Sequence, residues 1–294
     1  MIFCAAKGII TIMKSSGITL AGIEMQNPVM VASGTFGWGK EYANFTDINK
    51  LGALVTKTIT LKSKEGNPPP RTCETPAGML NTIGLQNPGV EKFLEEAGTF
   101  LRQLEIPVII NIAGESVEEY AELARRLDKE TFVKGIEINV SCPNVKHGGM
   151  LFGVDPEAVA QITRAVKKAT SAPVLVKLTP NVTDIAAIAK AAEGAGADAI
   201  TAINTVLGMA FDVNTGKPKL SMGVGGLSGP AIRPIAVRCV WQIAQAVKIP
   251  VVGVGGIMTA DDAKEFFLAG AKAVQIGTAN FVDTEAAVKI AKMF

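Results

Sequence analysis

The sequence has a single histidine, His147, and four cysteines, Cys4, Cys73, Cys142 and Cys239, no two of them spaced as C-x-x-C. A His-based triad and a multi-histidine metal site are therefore set aside. The scattered thiols argue against a disulfide framework, a zinc site or an iron–sulfur site within the chain, so acid–base chemistry falls to Cys, Lys, Asp, Glu or Tyr. An excess of charge of one sign is also missing: 29 Lys and Arg face 27 Asp and Glu, a net +2. That balance lacks the electrostatic footprint of a nucleic-acid binder. No long apolar run is present either. MIFCAAKGIITIM is short and carries Lys7, whereas a membrane span needs about 20 apolar residues, and it lacks the basic start of a signal peptide. The reading is a cytoplasmic chain with no membrane or nucleic-acid partner. Met13 begins a more ordinary start, so residues 1–16 read as an N-terminal extension, non-native or disordered, and 17–294 as the folded unit.

What is present is an apolar, glycine-rich chain, 48% hydrophobic with 30 glycines, enough to support a packed core. Eight short β-branched runs recur: PVMVAS (28–33), ALVTKT (53–58), PVIINI (107–112), GIEINV (135–140), PVLVKL (173–178), AITAIN (199–204), PVVGVG (250–255) and AVQIG (273–277). They alternate little, as parallel strands buried on both faces should. Amphipathic segments lie between them, at 116–127, 155–169, 183–196 and 259–271. Ser116, Asp155, Thr183 and Thr259 are placed as N-caps, and Glu119 and Asp262 complete capping-box patterns. Eight βα units without a linker favour a single (β/α)8 TIM barrel over a doubly wound sheet. Two connections, 59–89 after strand 2 and 205–229 after strand 6, are too long for simple βα loops, which places both insertions over the C-terminal face. Residues 18–28 read as a short hairpin closing the other end.

Polar or glycyl residues stand at the tip of each proposed strand: Ser33, Lys57 and Thr58, Asn111, Asn139, Lys177, Asn204, Gly255 and Gly256, Gly277 and Thr278. Any one Asn or Gly there is explained as a turn former. Two lysines fit that explanation poorly, because an unpaired charge is costly at a barrel mouth. The glycines of VGVGGI and QIGTA allow backbone N–H groups to approach a phosphate, without saying whether it belongs to a substrate or a cofactor. In NVSCPN (139–144), Cys142 follows strand 4 in a loop whose paired glycines suit a lid. A thiol of ordinary pKa about 8.5 can act as a base near neutrality. The other cysteines read as small buried hydrophobes and His147 as a surface residue.

VMVASGTFG, VTKT, NTIGLQNPG, NVSCPN, VKLTPN, INT, GGLSGP, VGVGGI and QIGTA, in that order, resemble the class 1 dihydroorotate dehydrogenases, FMN-containing (β/α)8 barrels. The resemblance runs from about Gly17 to Phe294, and NTIGLQNPG is similar to the NAD-linked 1B catalytic subunit. It implies that Ser33, Lys57, Thr58, Asn111, Asn139, Lys177, Ile203, Gly229, Gly255, Gly256, Gly277 and Thr278 hold FMN. It implies that Lys57, Asn81, Thr82, Ile83, Gly84, Leu85, Asn139, Asn144, Asn204 and Thr205 hold dihydroorotate or orotate. Cys142 would be the catalytic base, with Lys57 serving both substrate and flavin charge. The same resemblance implies a partner electron-transfer subunit carrying FAD and a [2Fe–2S] cluster, with the barrel self-associating as a dimer within a heterotetramer. The alternatives are a fumarate-using 1A enzyme, a phosphate-binding barrel lyase or isomerase, and a flavin-binding subunit without turnover.

Overall fold

The computed structural model describes residues 17–141, 143–144 and 150–294. Each of the eight apolar runs forms a strand: β1 (Val29–Val31), β2 (Ala53–Val55), β3 (Val108–Ile112), β4 (Val133–Asn139), β5 (Val174–Leu178), β6 (Ala199–Ala202), β7 (Val251–Val254) and β8 (Ala273–Ile276). All neighbours pair in parallel, and β8 returns to β1 through Val274 opposite Val29, closing the barrel. The expected (β/α)8 architecture is therefore the one the chain adopts.

The helices are α1 (Val90–Leu101), α2 (Val117–Leu127), α3 (Pro156–Ala169), α4 (Ile185–Gly194), α5 (Arg233–Ala246), α6 (Ala260–Leu268), α7 (Ala279–Val282) and α8 (Ala286–Ala291). Between β1 and β2 the described residues hold only a 3-10 turn, Ile48–Lys50, where the repeat predicts a helix. The reason lies in SGTFGWGKEY: Gly37 and Gly39 take φ of +56° and +93°, which interrupts a right-handed helix. Phe36, buried and stacked on Tyr42 at 3.9 Å between ring centroids, covers the barrel there instead.

Ser116 and Asp155 cap α2 and α3 through the backbone N–H groups of Glu119 and Glu157, and Thr259 forms a full capping box with Asp262 on α6. Two expectations are corrected. The cap of α4 is Asp184 rather than Thr183, because its carboxylate accepts from both Ala186 N and Ala187 N, at 2.9 and 3.1 Å. Glu119 does not complete a box with Ser116. Its carboxylate reaches one residue further back and accepts from Glu115 N at 2.9 Å.

The hairpin Ile18–Leu20 and Ile23–Met25 closes the N-terminal end of the barrel. Leu20, Ile23 and Met25 pack on Met30, Val55, Ile109, Leu175 and Val252 from the strands. Burying each such side chain contributes about 1.5–3 kcal/mol. At the opposite end the two long insertions meet. Thr72–Thr75 and Gly78–Asn81 from the first join Val206–Met209 and Val224–Ser228 from the second in one antiparallel sheet, with Gly226 opposite Asn81. Among the described residues no helix is long and apolar enough to cross a membrane.

Candidate active site

The C-terminal strand tips and the four-stranded sheet enclose a chamber of about 350 Å³. Ser33, Lys57, Thr58, Asn111, Asn139, Lys177, Asn204 and Thr205 line it from the barrel, and Asn81, Ile83 and Leu85 from the first insertion. A smaller lobe of about 70 Å³ shares Ser33, Lys177, Asn204 and Thr205 and continues to Ile203, Gly229, Gly255, Gly256, Gly277 and Thr278. Residues widely separated in the chain thus meet in one space.

Two of the remaining sequence candidates, Thr82 and Gly84, fall outside this lining. Thr82 accepts from the Asn67 amide at 2.8 Å, and a Cβ on Gly84 would stand 2.6 Å from Asn67 N, so both shape the loop that carries Ile83 and Leu85. The backbone of Asn144 pairs with Met150. Cys142 lies outside the described residues, as do residues 1–16 and His147.

The two lobes differ in chemistry. In the smaller one, β7, β8 and the turn leading into α5 bring their glycines together. Gly256 has φ of +75°, and a Cβ there would lie 2.8 Å from Gly229 O and 2.9 Å from Arg233 N. Only glycine allows that approach, and a cradle of glycine-lined turns of this kind suits a phosphate, whose oxygens accept from backbone N–H groups. Arg233, paired with Asp262, braces the cradle from behind, since Asp262 also accepts from Met258 N and Thr259 N, each at 2.9 Å.

The larger lobe is lined by amides and cations. Asn204 donates to Asn139 Oδ1 at 3.2 Å and to Ser141 Oγ at 3.0 Å, while its own Oδ1 accepts from Thr205 N at 2.8 Å. The Tyr120 hydroxyl donates to the carbonyl of Asn139 at 2.7 Å and fixes the end of β4 from outside the barrel. Ser33 and Thr58 hydroxyls sit 3.3 Å apart. Lys57 is half-buried, and that burial pushes its pKa below the usual lysine range; Glu41 opposes the shift and Arg71 adds to it. Lys177 is 5% exposed. The chamber therefore carries two lysine side chains and several amide groups able both to donate and to accept.

Below the chamber the barrel interior is not uniformly apolar, contrary to the sequence reading of the strands. Glu137 of β4 is fully buried and takes hydrogen bonds from Asn111, Thr201 and Gln275. Sequence reasoning missed all of this group but Asn111. The available signal was a lone carboxylate inside the apolar run GIEINV, which needs partners to be buried at all. Ser228, which accepts from Thr278 Oγ1 at 2.8 Å, is another lining residue that was not anticipated.

A closed parallel barrel whose C-terminal end holds a glycine-lined lobe beside an amide-lined, lysine-bearing chamber has the architecture of an α/β-barrel enzyme. The dihydroorotate dehydrogenase family model matches residues 16–294, and the chain belongs to that family. It is 56% identical over 275 residues, 94% of this chain and 90% of the relative, to the dihydroorotate dehydrogenase B (NAD(+)) catalytic subunit of Geotalea uraniireducens. The protein of the same description from Geobacter metallireducens is 57% identical over 274 residues, 93% of this chain and 90% of that one. Its counterpart from Anoxybacillus flavithermus is 56% identical over 271 residues, 92% and 87% of the two chains.

Proposed function

We propose that this chain binds FMN and oxidises (S)-dihydroorotate to orotate in pyrimidine biosynthesis, as the catalytic subunit of an NAD-linked enzyme. The observation that carries the reading is the continuity of the two lobes: a glycine cradle for a phosphate opens directly onto a chamber floored by Asn111 and Lys177. The residues fit FMN on their own chemistry. Asn111 Oδ1 is buried without a hydrogen-bond partner among the described residues, as an acceptor reserved for a bound ring would be. Gly229, Gly255, Gly256, Gly277 and Thr278 would hold the phosphate, and Ser33, Thr58, Asn111, Asn139, Lys177 and Ile203 the rest of the cofactor.

When bound, FMN supplies the hydride acceptor. The chain itself holds the substrate and moves the proton. Lys57 offers a cation to the substrate carboxylate, and Asn81, Asn139, Asn144 and Asn204 offer the mixed donors and acceptors that an imide edge requires. Cys142, as thiolate, removes the proton from the carbon beside the amide carbonyl while the neighbouring carbon gives up its hydride. The sheet built from the two insertions covers the mouth and keeps water from the reacting carbons.

Purified protein is expected to be yellow, and its flavin to be bleached by dihydroorotate in anaerobic stopped flow. Lys177→Ala and Gly256→Val should fold, by circular dichroism, yet retain little flavin. A wild-type chain that neither carries nor takes up FMN overturns the reading.

The relatives are described as catalytic subunits, which implies a second chain. We infer that this partner carries FAD and a [2Fe–2S] cluster and docks on a dimer of the barrel to form a heterotetramer, in the cytoplasm. The isolated chain should then reduce a dye with dihydroorotate but turn over little NAD or fumarate, and gain NAD turnover when co-expressed with the partner. Rapid fumarate-dependent turnover by the chain alone would favour the 1A alternative.

A further inference from the structure

Among the barrel strands only β4 contributes a carboxylate, Glu137, and its two oxygens face different neighbours. Oε2 accepts from Thr201 Oγ1 at 2.9 Å and from Gln275 Nε2 at 2.6 Å. Oε1 accepts from Asn111 Nδ2 at 2.7 Å and stands 3.8 Å from Lys177 Nζ. An ionised carboxylate can only accept, so Asn111 must turn its NH2 toward Glu137. That leaves Oδ1, buried and without a partner among the described residues, as the amide atom available to the chamber that Asn111 lines.

We propose that Glu137 is a positioning residue that sets the polarity of the chamber floor. It forces Asn111 to present an acceptor and keeps the cationic Lys177 beside it. An acceptor next to a cation complements a ring edge on which an N–H adjoins a carbonyl, the arrangement of the flavin pyrimidine edge, so this inference rests on the FMN reading above. Thr201 and Gln275 lock the carboxylate from the opposite side, so its orientation is fixed before any ligand arrives. Such preorganisation removes an ordering cost from binding.

The test is Glu137→Gln, read by FMN retention. The glutamine oxygen can keep Thr201 and Gln275, which places its NH2 against two donors, Asn111 Nδ2 and Lys177 Nζ. Asn111 relieves the clash by turning its amide over, and the floor then presents a donor. Holoprotein is dialysed and the ratio of bound to free FMN measured, together with the visible flavin spectrum. The expected result is at least tenfold weaker retention for Glu137→Gln and recovery to within about threefold of wild type when Asn111→Asp is added. In that double variant the new carboxylate at position 111 accepts from the new amide at position 137, which restores both an acceptor and a negative charge to the floor. A merely structural role for Glu137 would show no such rescue.

Retention by Glu137→Gln within twofold of wild type overturns the proposal, as does equal loss in both variants. If the single variant does not fold, the double variant decides: folded with FMN supports the proposal, and folded without FMN overturns it. Failure of both to fold also overturns it, because Glu137 then serves the barrel rather than the flavin. A wild-type chain without FMN fails the parent reading instead, so the two failures are distinct.

Discussion

Cys142→Ala is expected to stay yellow and bind orotate while its flavin is reduced by dihydroorotate about 10²- to 10⁴-fold more slowly, the range for losing a positioned general base. Cys142 is not among the residues proposed to hold the cofactor, so its removal should leave FMN content unchanged. The loss should fall on the reduction rate and spare the dissociation constant of orotate, because proton transfer occurs only in the transition state. Cys142→Ser gives a second readout. A hydroxyl surrenders its proton less readily than a thiol, so the serine variant should recover rate as the pH rises into a range where the wild-type thiol is already ionised. Anaerobic stopped flow across pH measures both. Reduction of the alanine variant at a near-normal rate would remove Cys142 from the base position and leave the rest of the site standing.

Much of the barrel is legible in the chain because each parallel strand is buried on both faces and so becomes a continuous apolar run. The strand tips are legible for a related reason: polarity returns where the run ends, and that point is the mouth of the barrel. What could not be read is what depends on register between distant segments. Glu137 finds Asn111, Thr201 and Gln275 at separations of 26, 64 and 138 residues, and nothing local to GIEINV names those partners. The four-stranded cover is of the same kind, since each insertion alone offers only a pair of short strands and the register Gly226 to Asn81 joins them. The misplaced α4 cap is different in origin. Thr183 and Asp184 are both cap formers, and the choice was made by a carboxylate that satisfies two N–H groups at once. The first βα connection failed as a helix because glycines with positive φ and a stacked aromatic pair supply another way to cover the barrel wall.

Lys57 should make orotate binding fall at alkaline pH, and earlier than an ordinary lysine would. Its pKa is lowered by burial, with Glu41 pulling it back up and Arg71 pressing it further down. Only the charged ammonium attracts the substrate carboxylate. Affinity is therefore full below the pKa of Lys57 in the free protein and falls as the pH rises through it, by about tenfold per unit, until the higher pKa of the complex is reached. Lys57→Arg separates charge from position: a guanidinium stays protonated across this range, so the alkaline fall should vanish even if the plateau affinity drops. Lys57→Ala should lack the pH dependence as well and lose roughly 2–5 kcal/mol of anion binding, about 30- to 4,000-fold, the cost typical of truncating one partner of a buried charge pair. Orotate titrations of the flavin spectrum from pH 6 to 10 measure all three. A wild-type affinity that stays flat across that range, or an alanine variant that binds orotate as tightly, would mean that the carboxylate is held elsewhere in the chamber.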